Sequence, residues 1–231
     1  MSDALVPATQ ASRPTSGALV DAFKRLPTAA ISDAMDRLGI PGQALGITPL
    51  DVRFRLVGRA FTIRYRPVGE VEKGTVGDYI DDVAPGDVVV LDNAGRVDCT
   101  VWGDILTAVA HRRGLGGTVI NGVCRDITRA IDLGYPIFSR GRWMRTGKDR
   151  VEVESMGQPV SLGDVQVRQG DILCGDADGI VVVPRSREAE VLQTAQAIEE
   201  AEQAIEAETA KGTRLDDART KHRYHALQTR G

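Results

Sequence analysis

Asp104 and, after twenty intervening residues, Arg125-Asp126 are the residues whose types and spacing suit chemistry on an anionic substrate. Two carboxylates can hold a hard divalent cation through oxygen. A neighbouring guanidinium, projecting differently from Asp126, can face whatever anion binds that cation. Each residue alone also has a structural account. Asp is a good helix N-cap, and Arg125 by itself would be a surface cation. Only the three together make a site.

The elements that must position them can be read from the intervening residues. Ile105 to His111 has apolar or small residues at 105, 106, 108, 109 and 110, which predicts a buried helical face. Gly114, Gly116 and Gly117 stop that helix. Thr118-Val119-Ile120 reads as a short β-branched strand, and Asn121-Gly122 as turn chemistry, since both tolerate positive φ. Arg125-Asp126 then opens a second helical run from Ile127 to Leu133, closed by Gly134 and Pro136. Asp104 and Asp126 therefore each fall at or near a helix start, where free N–H groups and the helix dipole favour an anion.

Around this unit, Leu19 to Leu26 and Thr28 to Leu38 give two short helical patterns, and Arg53 to Arg66 alternates as a strand. Thr75 to Asp82 is a short helical pattern. Val88-Val89-Val90-Leu91 is a continuous apolar run suited to a strand covered on both faces, and Asp92 to Gly95 leaves it as a polar loop leading towards Gly103. Tyr135 to Phe138 reads as a strand. Arg140 to Arg150 is basic and glycine-bearing, either a solvated loop or one that helps choose an anionic substrate, such as one with a second carboxylate. Val160 to Val183 reads as several strands joined by Gly-Asp turns. Ser186 to Lys211 is a long amphipathic helix, with Val191, Leu192, Ala195, Ile198, Ala201 and Ile205 on one stripe.

Composition narrows the class. The chain has 231 residues and a net charge of −3, so it has no general attraction for nucleic acid or acidic membranes. The three cysteines, Cys99, Cys124 and Cys174, have no framework spacing, which suits a reduced, cytoplasmic protein. No run approaches the roughly 20 apolar residues of a membrane span. Met1 to Gly17 lacks the basic and apolar regions of a signal peptide and reads as a mobile leader (1–17). A single α/β domain over 18–212 and a polar tail over 213–231 complete the expected organisation.

The Asp, twenty-residue, Arg-Asp pattern resembles the signature of the class II pyruvate aldolases of the 4-hydroxy-4-methyl-2-oxoglutarate aldolase family, which also contains the RraA-like regulators of ribonuclease activity. Ser32-Asp33-Ala34, Val57 to Ala60, Gly103-Asp104, Gly134 to Phe138 and Gly175 to Pro184 carry the same resemblance, which covers roughly residues 19 to 212. One departure is Arg129, three positions after Asp126, where many members carry an acid. The resemblance implies a swivelling β/β/α-type α/β domain with a central β layer, flanking helices and the long C-terminal helix. It further implies a lyase that cleaves a 4-hydroxy-2-oxo acid to pyruvate through an enolate, with oxaloacetate decarboxylation as a side activity. In that reading Asp126 binds Mg²⁺ or Mn²⁺ directly, while Asp104 and a neighbouring subunit's Glu202 (with Glu199 as second match) act through its water ligands. Arg125 stabilises the enolate, and Gly103 with the amides of Ile105 and Leu106 receives the pyruvate carboxylate. A homotrimer or hexamer with sites between subunits follows from the same resemblance, as does the alternative of a non-enzymatic regulator that binds a ribonuclease.

Overall fold

The computed structural model describes residues 16–69 and 75–224. Most of the expected leader lies outside the described residues, and Ser16 and Gly17 already belong to the first helix. Helices α1 (Ser16–Phe23) and α2 (Thr28–Arg37) precede strand β1 (Thr48–Pro49) and the long strand β2 (Leu56–Pro67). After a 3-10 turn (Asp78–Asp82) come β3 (Val88–Asp92), α3 (Asp104–Arg112), β4 (Gly117–Cys124), α4 (Ile127–Leu133) and β5 (Ile137–Arg142). Strands β6 (Val151–Met156), β7 (Val160–Leu162), β8 (Val165–Val167), β9 (Ile172–Asp176) and β10 (Gly179–Val183) follow. Helices α5 (Glu188–Thr209) and α6 (Leu215–Lys221) close the described chain.

The main sheet has the order β1-β5-β4-β3-β2-β9-β10, with β6 also on β2. Strands β2 to β5 run parallel, and the flanking pairs are antiparallel. The sheet curls until its ends nearly meet: Ala44 N–H donates to Ile180 O at 3.0 Å and Val182 N–H to Gly42 O at 2.8 Å, so the chain before β1 pairs with β10. The result is an almost closed barrel, which leaves few strand edges free. Its interior holds Val88, Val90, Val119, Phe138 and Leu173, and the β7–β8 hairpin buries Val160, Leu162, Val165 and Val167 in the same core. Outward residues of the parallel strands, Val89, Leu91, Ile120 and Ile137, form a second core beneath α3 and α4. A third core lies where α1, α2 and α5 cover β9 and β10.

Two expectations change. Asn121-Gly122 is not a turn but part of β4, which runs on to Cys124 with a register shift between Ile120 and Val123. The physical reason is that Asn121 is buried, its amide donating to Asp92 Oδ1 at 2.9 Å. A Cβ on Gly122 would lie 3.1 Å from Asn93 Cβ and 3.2 Å from Arg96 O, so this glycine serves a close approach. The polar tail carries α6, whose Ala218 is buried and whose Lys221 pairs with Glu208 of α5 at 2.6 Å.

Candidate active site

Strand β4 ends where the loop after β3 returns to begin α3, and backbone bonds stitch these two ends together. Thr100 bridges Val123, and Arg125 N–H donates to Trp102 O at 3.1 Å. Trp102 is a buried anchor. Its ring stacks on Tyr135 with centroids 6.2 Å apart, and its Nε1–H donates to Thr107 Oγ1 at 2.9 Å. Thr107 Oγ1 in turn donates to Gly103 O at 2.8 Å, fixing the first turn of α3 against that anchor. This places Gly103-Asp104 beside Arg125-Asp126, although they are far apart in sequence.

Asp126 does not cap α4 with its side chain. It adopts the left-handed conformation at φ 57°, uncommon for a residue with a Cβ and most tolerable for Asp or Asn. The carboxylate turns instead towards α3. Its Oδ2 accepts from the Asp104 N–H at 3.2 Å and lies 3.3 Å from Arg125 Nε. A Cβ on Gly103 would sit 2.8 Å from that same Oδ2 and 3.3 Å from Arg125 Nε. Gly103 is therefore required by the approach of these two side chains, where sequence reasoning expects the approach of a ligand. Asp104 is exposed and accepts from the Ile105 N–H at 2.8 Å, so one of the two amides expected to receive a substrate carboxylate already has an internal partner.

A cavity of about 720 Å³ opens on this corner, lined by Gly103, Asp104, Ile105, Leu106 and Arg125 on one side. Thr75 to Asp78, Ile80 and Asp81 form the facing wall, and Thr146 and Lys148 join from the basic loop. Asp126 is not among its lining residues. Sequence reasoning missed this second wall, whereas Lys148 belongs to the basic run from Arg140 to Arg150 that it raised as one helping to choose an anionic substrate. Lys148 is carried by a loop tied down through Thr100 N–H to Arg145 O at 2.9 Å. Arg129 is exposed on α4 and does not line the cavity. Cys124 lies directly behind Arg125 and is buried, which pushes its thiol up to about 11, so it is no nucleophile at neutral pH.

For a metal, the site offers oxygen donors only. Asp126 Oδ1 has no partner among the described residues, and its side chain is 40% exposed. Exposed carboxylate oxygens fit a hard cation that keeps several waters. Among the described residues no group of three or more His, Cys, Asp or Glu forms a complete ligand set. Glu202 and Glu199 lie on α5, which packs on the core beneath α1 and α2 and not on that of α3 and α4. Within one chain neither joins the cluster. Glu202 accepts instead from Tyr224 OH at 3.0 Å, and Glu199 from Gln203 Nε2 at 2.7 Å.

Comparison with known proteins agrees with this architecture. The model of the family described as RraA-like, Aldolase/RraA, matches residues 28–182. Protein DlpA of Legionella pneumophila is 40% identical over 201 residues, covering 85% of this chain but only 32% of its own length, so the chain spans about a third of that relative. A protein of Halalkalibacterium halodurans named "Putative 4-hydroxy-4-methyl-2-oxoglutarate aldolase" is 37% identical, with 75% of this chain and 80% of that protein covered. The crystal structure of an uncharacterized protein from Pseudomonas syringae pv. tomato superposes with a TM-score of 0.83 at 41% identity, covering 90% of this chain and all of that one. No described helix is long and apolar enough to cross a membrane.

Proposed function

The chain belongs to the RraA-like family, and from that premise we propose that it is a divalent-metal-dependent lyase that releases pyruvate from a 4-hydroxy-2-oxo acid. The observation that carries the reading is the corner in which the Asp104 amide and Arg125 both meet Asp126 Oδ2 beside one cavity. Asp126 would hold Mg²⁺ or Mn²⁺ directly, with Asp104 and another subunit's Glu202 engaged through water. The cation when bound would polarise the keto group as a Lewis acid.

This chain's residues carry the remaining steps. Asp126 anchors Arg125 through Nε, which leaves the outer N–H groups of the guanidinium to donate to the substrate's keto oxygen. Asp104, exposed on the cavity wall, accepts the proton of the 4-hydroxyl, directly or through water. As that proton leaves, the bond between C3 and C4 breaks, C4 becomes a carbonyl, and the electron pair passes into the enolate of pyruvate. Arg125 stabilises the charge on the enolate oxygen, where preorganised donors act most strongly. Protonation of C3 completes pyruvate. Decarboxylation of oxaloacetate yields the same enolate and needs the same donors.

The test is pyruvate release from a panel of 4-hydroxy-2-oxo acids and oxaloacetate, read through lactate dehydrogenase. Turnover should require Mg²⁺ or Mn²⁺ and stop in EDTA. If no acid gives pyruvate above the uncatalysed rate with metal present, the lyase reading fails. The family's RraA branch, acting by binding a ribonuclease, would then be the account to pursue.

A further inference from the structure

A second group of polar residues lies on the other face of the sheet. Asp92, Asn121 and Arg140 stand on adjacent strands, each two residues beyond an interior residue: Val90, Val119 and Phe138. Strand alternation points them into the mouth of the barrel, away from the face that carries α3 and α4. They form a relay. Buried Asp92 accepts from Asn121 Nδ2 at 2.9 Å, and Asn121 Oδ1 accepts from Arg140 Nε at 2.7 Å.

Asp92 is itself held by the N–H groups of Ala94 at 3.0 Å and Ser161 at 3.0 Å, so the relay is fixed from both loops. The tether sets the plane of the guanidinium. Its outer N–H donors have no partner among the described residues. They face a notch of about 530 Å³ formed by Gly46, Ala94, Gly95 and the Gly163-Asp164 turn. All four wall residues from Gly46 to Gly163 have left-handed backbones, with φ of 77°, 52°, 70° and 66°. A Cβ on Gly46 or on Gly163 would lie 3.2 Å from Arg140 Nη1 or Nη2, respectively. Glycine at these two positions keeps space open around the guanidinium.

We propose that this notch binds a small 2-hydroxy or 2-amino carboxylic acid, at a site separate from the Asp104, Arg125 and Asp126 corner. A held guanidinium with free forked donors matches a carboxylate in two-point fashion. Arg140 and Asp164 are the two charged residues of the notch, and no ion pair joins them among the described residues. Asp164 and, behind the relay, Asp92 already set two carboxylates about this one guanidinium, so a dianion such as phosphate gains little there. A monoanion whose adjacent hydroxyl or ammonium donates to Asp164 satisfies both.

The experiment is a titration of the full-length protein with glycolate, alanine, acetate and sulfate, followed by the NMR shift of the Arg140 side-chain Nε–H. Glycolate and alanine should saturate at concentrations about tenfold or more below acetate, and sulfate should not compete with them. Arg125→Ala should leave these titrations unchanged, which separates the notch from the proposed reaction site. Asp164→Ala, on an exposed turn, should remove the advantage of glycolate over acetate while acetate still binds. A resonance that no probe moves, a shift that vanishes with Arg125→Ala, or an unchanged preference in Asp164→Ala would each overturn the assignment.

Discussion

At the scale of single residues, the corner is defined as much by Gly103 as by the charges. Its backbone is extended at φ −152°, which alanine adopts without strain, so a methyl there acts only on what it touches. It touches Asp126 Oδ2 and Arg125 Nε. Gly103→Ala should therefore leave the unfolding free energy within about 0.5 kcal/mol of the parent. Pyruvate release should nevertheless fall, by up to about 10²-fold, the scale on which small misplacements cost rate. Calorimetric melting beside kcat/KM reads both halves; full activity would mean that the contact of Arg125 with Asp126 does not matter to turnover. Arg125→Ala removes the guanidinium outright and should lower kcat by roughly 10²–10³. Parent-like kcat in that variant would take Arg125 out of the mechanism.

At the scale of elements, helix α2 offers a contrast between what was legible and what was not. Its extent follows from the apolar spacing of Ala30, Ile31, Ala34 and Met35, all buried. Its start at Thr28 follows too, but the group that caps this start does not, because Pro27 supplies no side-chain cap. The Asp176 carboxylate does so across the fold, accepting from Thr28 N–H at 2.9 Å and Thr28 Oγ1 at 2.5 Å. Burial pushes the Asp176 carboxyl upwards, but the bonds from Thr28 and Asp178 outweigh it and hold the group below its ordinary value. A carboxyl depressed in the folded state contributes stability that is present above the unfolded pKa and lost as pH falls through the folded one. Asp176→Ala should thus cost about 1–2 kcal/mol at neutral pH, the scale of a lost cap. The gap should narrow as pH drops below the ordinary carboxylate range, and denaturant melts of parent and variant across that range would check it. A gap independent of pH would mean that the charge plays no part. The same distinction runs through the site. The helix starts at Asp104 and Ile127 could be read locally, because side-chain period and glycine stops are local signals. The continuation of β4 through Asn121-Gly122 could not, since Asn and Gly signal a turn unless a distant partner such as Asp92 claims them. Nor could the choice of Lys148 from the basic run Arg140 to Arg150, since only the folded chain decides which of its cations reaches the cavity.

For the whole molecule, the division into separate cores decides how many chains the proposed reaction needs. The corner of Asp104, Arg125 and Asp126 sits on the core of α3 and α4, whereas Glu202 sits on α5, which covers β9 and β10. Glu202 can then reach the corner only from another copy. The surface beside the corner suits such a copy. Trp143, whose N–H donates to Cys124 O at 3.0 Å, is adjacent to Met144, 71% exposed, and the loop entering α3 exposes Val97. Exposed apolar side chains on segments that adjoin the corner are what a second copy would cover. In a cyclic assembly each site would combine Asp126 of one chain with Glu202 of the next. Asp126→Asn and Glu202→Ala should each lose most pyruvate release when alone. Co-expressed in equal amounts, they should form mixed oligomers in which about a quarter of the sites have both parent residues, and activity should return to about that fraction. Size-exclusion chromatography with a pyruvate assay on the whole co-expressed pool reads the result. A monomer, or mixed assemblies no more active than either variant alone, would show that Glu202 does not complete a neighbour's site.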